Sequence, residues 1–295
     1  MIDIASLTLQ RQLTGTVRQV QHAQGLPCLL IQRPECEAVV SLYGGHLLHF
    51  TPRGQAPWLW LSQDALLDGQ HAIRGGIPVC WPWFGPSPER VGAGKPQHGF
   101  ARNKTWQLDG ISEDADSTLI HLSLSDDAET LALWPFAFEL QLDIKVGREL
   151  TLQLTCCNTG DQPFTYSGAL HTYFNIAEVS QVSLAGLPHN YLDKLANFAP
   201  VNSDHFALDR AMDRVYLQED ARLSLSTGHQ TLQLEHRHSN ASVVWNPWQE
   251  GAAKMGDFDD AGWQHMLCVE PAITEDAPIT VLPDEEHSLS VTMRA

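Results

Sequence analysis

The sequence predicts an all-β protein, a large sandwich of antiparallel strands forming a single domain over residues 1–295. Three observations carry this. Hydrophobic residues alternate with polar ones over many short runs, which is the period of a strand with one buried face. Turn signals separate the runs. No amphipathic stretch follows a 3.6-residue period for more than about three turns.

The clearest run is FAFELQLDIKV, which places Phe136, Phe138, Leu140, Leu142, Ile144 and Val146 on one face and Glu139, Gln141, Asp143 and Lys145 on the other. ELTLQLTCC repeats the pattern, with Leu150, Leu152, Leu154 and Cys156 aligned. IHLSLS, ARLSLS, TLQLEHRH and HSLSVTMR follow it too. Turns are expected at Val146-Gly147-Arg148, Asn158-Thr159-Gly160-Asp161 and Ser226-Thr227-Gly228. One-faced strands of this kind pack as antiparallel sheets, face to face. No internal repeat, linker or shift in composition marks a second domain.

The chain has 295 residues, 43% of them hydrophobic, enough to bury a core. Its formal net charge of −17 argues against nucleic acid and anionic membranes, both of which need a basic footprint. It also means that any bound anion requires a local cluster of cations. No apolar run could span a bilayer, and MIDIASLTLQRQL lacks the order of a signal peptide. The six cysteines include no Cys-x-x-Cys pair, so they read as reduced thiols of a cytoplasmic protein. Cys156 and Cys157 should point to opposite faces of their strand. No association element is evident, which favours a monomer.

Alternation fails in five segments: Ile73–Arg102, Ser167–Asn175, Ala211–Leu217, Val243–Asp260 and Met266–Pro271. Irregular segments on a rigid scaffold commonly carry function. The first contains RGGIPVCWPWFGPS, where Arg74 offers a planar fork of donors for an anion. Gly75 and Gly76 permit close backbone approach to a ligand, and the Pro-Trp-Pro-Trp-Phe run would form a stiff aromatic pocket wall. KPQHGFAR adds Lys95, Gln97, His98 and Arg102. The plainer reading is that these arginines pair with some of the 35 acidic residues.

His171 in ALHTYFN can act as an acid or base near neutral pH, or be a core histidine held by one hydrogen bond. Glu270 follows Met266-Leu267-Cys268-Val269, and burial there would raise its pKa and make it a usable base. The plainer readings are a strand end facing water or a pair with an arginine. Asp213 in AMDRVYL can accept sugar hydroxyls or cap a turn. Trp245 and Trp248 flank Asn246-Pro247 and suit either a sugar face or a core. His236 and His238 share a strand face but lack a third ligand at a recognisable spacing, so a zinc site there is weakly supported.

Taken in order, IRGGIPVCWPWFGP, QHGFAR, ALHTYFN, DRVYL, VVWNP and CVEP resemble the hexose-6-phosphate mutarotases, the glucose-6-phosphate 1-epimerase branch of the aldose 1-epimerase family. The resemblance runs from about Leu42 to Pro271. It implies a galactose-mutarotase-like β-sandwich, no cofactor, no metal, and a small sugar phosphate as the binding partner. It implies His171 as general acid and Glu270 as general base. Arg74, Gln97, His98, Arg102 and Asp213 are implied at the sugar phosphate, with Asp209 as the alternative to Asp213 and Lys95 unassigned. The implied reaction is interconversion of the α and β anomers by ring opening and closure. It needs one acid and one base, with His171 held protonated by a negative neighbour. The alternatives are an aldose 1-epimerase for unphosphorylated sugars and a non-catalytic carbohydrate-binding protein on the same fold.

Overall fold

The computed structural model describes residues 2–295. Every strand pairing is antiparallel. A five-stranded meander occupies the N-terminal part, from Thr8–Gln12 to His46–Pro52. Two eight-stranded sheets form the body, with a two-stranded ribbon of Phe164–Tyr166 and Ile279–Val281 beside them.

The first large sheet holds the strands read from alternation. Phe138–Gly147, Leu150–Asn158 and Glu286–Arg294 lie side by side at its centre, with Ser117–Ser125, Ala221–Ser226 and Thr231–Arg237 further out. One face is buried and the other meets solvent, so the period of two survives in the sequence. Cys156 is buried and Cys157 partly exposed, and all six thiols are free, in accord with the sequence. The α-helices are Ala128–Leu133 and Trp248–Ala252, six and five residues long. No described helix is long and apolar enough to cross a membrane.

The second large sheet explains why alternation fails elsewhere. Its strands Met266–Ile273 and Ala241–Asn246 are covered on both sides; all eight residues of the former are buried. A strand buried on both faces reads as a continuous apolar run. The main core is continuous between the sheets, taking Leu140, Leu142 and Leu152 from one and Val244, Leu267 and Val269 from the other.

The RGG–Trp-Pro-Trp segment departs from expectation twice. Trp81 and Trp83 are fully buried and belong to this core, where Trp81 packs against Phe138 at 4.5 Å between ring centroids. Beyond Arg74, only Phe84 and the two residues after it reach the pocket described below. The glycines serve the chain's own backbone. A Cβ on Gly75 would lie 2.6 Å from Leu61 Cα, and one on Gly76 2.4 Å from the Leu47 carbonyl oxygen. Both have positive φ, 114° and 63°. The loop is thus pressed against Trp60–Leu61 and the His46–Pro52 strand, directly after Arg74.

Several histidines are buried neutral. Burial lowers the pKa of His46 to about 4, that of His49 to about 4 and that of His236 to about 3, against 6.5 in the unfolded chain. His46 Nε2 is 2.7 Å from the Gly75 carbonyl oxygen, and His236 Nδ1 is 3.1 Å from the Ser242 hydroxyl. Because these folded values lie below the unfolded one, the native state binds fewer protons between them. Stability is therefore intact above 6.5 and falls as pH drops towards 4. Each such histidine removes about 1.4 kcal/mol one pH unit below its unfolded value. Glu270, shifted upward, offsets part of this. Urea unfolding is expected to give a lower free energy at pH 5.5 than at pH 7.5, and an equal or higher value at 5.5 would contradict the neutral histidines. His238 lies past the end of the Thr231–Arg237 strand and is exposed, so it does not share a buried face with His236.

Candidate active site

Strand register brings the two central residues together. Gly168–Leu170 and Tyr173–Asn175 both pair with Met266–Ile273, through Ala169 opposite Ala272 and Tyr173 opposite Cys268. That register sets His171, in the gap between the short strands, across from Glu270. Opposed residues on one face of an antiparallel pair have neighbouring side chains. Accordingly His171 Nδ1 lies 3.4 Å from Glu270 Oε2. Neither atom has a hydrogen-bond partner, and both residues are buried. The imidazole stacks face to face on Tyr173, with 4.7 Å between centroids, and meets the edge of Trp245.

The next strands complete the floor. Glu270 is opposite Val243, and Asp213 is opposite Trp245, so these side chains share a face. With the loop residues Arg74, Phe84, Gln97, His98 and Arg102 they line a cavity of about 270 Å³. All seven residues expected from the sequence are brought together here. Asp213 is the aspartate that faces the cavity, whereas Asp209 is exposed. Lys95 is not part of this cavity; it donates to the Leu133 carbonyl and lines a different one beside Trp134 and Phe136.

Lys194 was not legible in the sequence. It sits in a turn directly after the Asn190–Asp193 strand and reaches Asp213, Nζ to Oδ2 at 3.0 Å. Its ammonium lies 5.9 Å from the centre of the Phe84 ring. A lone lysine in the mixed run NYLDKLANF carries no local signal of this placement. The cations differ in how far they are engaged. The Arg74 guanidinium is paired with Asp257 at 3.2 Å and donates to the Tyr173 hydroxyl. Arg102 donates from Nη2 to the Gln97 carbonyl, while its buried Nε has no partner. His98 accepts at Nδ1 from the Gly85 amide, which leaves the proton on Nε2 as a donor. Burial and the nearby cations lower its pKa to about 3.

Electrostatics set the resting state of the pair. The pKa of His171 is lowered well below the usual value, first by burial and then by His98, Arg102, Arg74 and Lys194. Burial raises Glu270 well above the usual carboxylate range, against the opposing pull of Lys194. Burial also raises Asp213, with Lys194 pulling the other way. The opposed shifts favour a single proton held between His171 and Glu270, so their titration belongs to the pair. A pair with one proton can donate at one oxygen while accepting at another.

The fold and this acid–base pocket define a sugar epimerase of the mutarotase type, and the chain belongs to the aldose 1-epimerase family, whose pattern matches residues 27–294. An Escherichia coli (strain K12) protein provisionally named a glucose-6-phosphate 1-epimerase is 37% identical over 257 residues, covering 85% of this chain and 84% of that protein. One from Cenchrus ciliaris with the same provisional name is 36% identical over 275 residues, covering 88% and 82%. The crystal structure of a provisionally named mutarotase from Salmonella typhimurium superposes with a TM-score of 0.91 at 31% identity, covering 99% of this chain and 97% of that one. A galactose mutarotase related enzyme from Lactobacillus acidophilus, at 16% identity and a TM-score of 0.70, shares the fold.

Proposed function

We propose that this epimerase interconverts the α and β anomers of a hexose 6-phosphate, glucose 6-phosphate foremost. The observation that carries the reading is a buried, unpartnered His171–Glu270 pair in a cavity also lined by Arg102 and Lys194, within a chain of net charge −17. Cations gathered against the global charge suit an anionic substrate. The names carried by the relatives point the same way.

In the proposed reaction, Glu270 takes the proton from the C1 hydroxyl while His171 gives one to the ring oxygen. The C1–O5 bond breaks, and the electron pair on O1 forms the aldehyde carbonyl. The C1–C2 bond rotates, and the O5 hydroxyl adds to the other face as the protons return. The phosphate dianion offsets the cations that lower His171, which lets the proton reside on the imidazole while Glu270 accepts. Asp213 and the Nε2–H of His98 orient sugar hydroxyls.

The engagement of Arg74 with Asp257 favours the second reading, an epimerase for free sugars, because it removes one arginine from the anion's reach. Anomer exchange measured by NMR magnetisation transfer, on glucose 6-phosphate and glucose side by side against buffer, separates the two. Exchange confined to the phosphorylated sugar is expected. Exchange on glucose alone would keep the acid–base pair and discard the phosphate, and no exchange on either would leave a carbohydrate-binding protein.

A further inference from the structure

Cys268 has no part in the anomer exchange proposed above, yet it shares a strand face with Glu270. Strand neighbours two apart point the same way, so the Cys268 thiol lies beside Glu270 beneath His171. One ligand atom from each of the three residues falls within 4.8 Å of the others, and all three residues are buried. Two of those side chains carry buried atoms without partners, His171 Nδ1 and Glu270 Oε2. Their 3.4 Å separation matches the edge of a tetrahedral zinc site, where ligands about 2.0–2.2 Å from the metal lie roughly 3.4 Å apart. Closing the thiol onto the same centre requires a movement of order 1 Å, within reach of a side-chain rotation.

We infer that the floor of the cavity is a binding site for one zinc-class divalent cation, ligated by His171, Cys268 and Glu270, and that its occupation silences the enzyme. The donor set of imidazole nitrogen, thiolate sulfur and carboxylate oxygen selects zinc or cobalt over magnesium and calcium. A thiolate and a carboxylate balance the two charges of the ion, so the buried centre is neutral on binding. The fourth position would be left to water. Binding displaces the thiol and carboxyl protons to solvent, and it occupies both members of the acid–base pair. The silencing rests on the roles proposed for that pair; the binding does not.

Cobalt(II) titration of the full chain is expected to give a near-ultraviolet thiolate-to-cobalt band at one equivalent. The band is lost in Cys268→Ala and kept in Cys157→Ser, the variant of the one partly exposed thiol. Zinc is expected to stop exchange reversibly, with a chelator restoring it. Cys268→Ala should need at least about tenfold more zinc, each protein being compared with its own metal-free rate, since even outer-sphere losses cost metal sites 10–100-fold. Absence of the band in the unmodified protein, or its survival in Cys268→Ala, would overturn the site. A band with exchange undiminished would overturn the silencing. Because the band needs no sugar, it remains readable if the substrate assignment fails.

Discussion

Glu270→Gln is expected to lower kcat for anomer exchange by about 10²–10⁴-fold, the usual worth of one positioned proton transfer. The amide keeps the shape of the carboxyl in a fully packed strand, so the fold should survive and the loss should fall on the chemistry. A glutamine cannot take the C1 proton, and His171 alone cannot both donate and accept in one step. In the parent enzyme the lowered pKa of His171 shifts the acid limb of the pH profile downward. Once corrected for the substrate phosphate, whose second ionisation is near 6, kcat/KM should hold as pH drops from neutrality to the ordinary histidine value. It should fall in acid only below the ordinary histidine value, where a second proton enters the pair. Unchanged exchange in Glu270→Gln would end the acid–base assignment whatever the sugar.

Arg102→Ala is expected to raise KM for a hexose 6-phosphate by about ten- to a hundredfold, and Lys194→Met to do the same. Each estimate is the 1.5–3 kcal/mol of one charge-assisted hydrogen bond. The two cations differ in what else they hold, so the controls differ. Arg102 also donates to the Gln97 carbonyl and helps to lower the pKa of His171, so its loss should change rates on unphosphorylated glucose far less than it raises KM for the 6-phosphate. Lys194 also neutralises Asp213, so Lys194→Met should free a buried carboxylate and disturb sugar orientation as well as phosphate binding. Equal losses on both sugars in Arg102→Ala would remove the arginine from the phosphate site.

The residues that declared themselves in the sequence did so for different reasons. Strands such as Phe138–Gly147 and Leu150–Asn158 were plain because one face meets water, and solvent writes a period of two into the sequence. Met266–Ile273 hid its strand character by being covered on both sides, yet that covering made Glu270 conspicuous among apolar neighbours. The tryptophans misled. Rigid aromatic residues beside an arginine suit a pocket wall and a core equally well, and Trp81 and Trp83 went to the core because a sheet-on-sheet interior needs their volume.

By itself the sequence determined the all-β class, the antiparallel runs and the set of side chains with usable chemistry, because burial periodicity and functional groups are local properties. Only the tertiary structure decided that His171 stands across from Glu270, that Asp213 and not Asp209 faces the cavity, and that Lys194 joins them. It also placed Arg74 against Asp257 and turned the pKa of His171 downward. Those outcomes depend on strand register and on the field of groups from segments distant in the chain. Pairing between remote strands brings these groups within a few ångströms, a distance at which burial and charge together set which atom holds the proton.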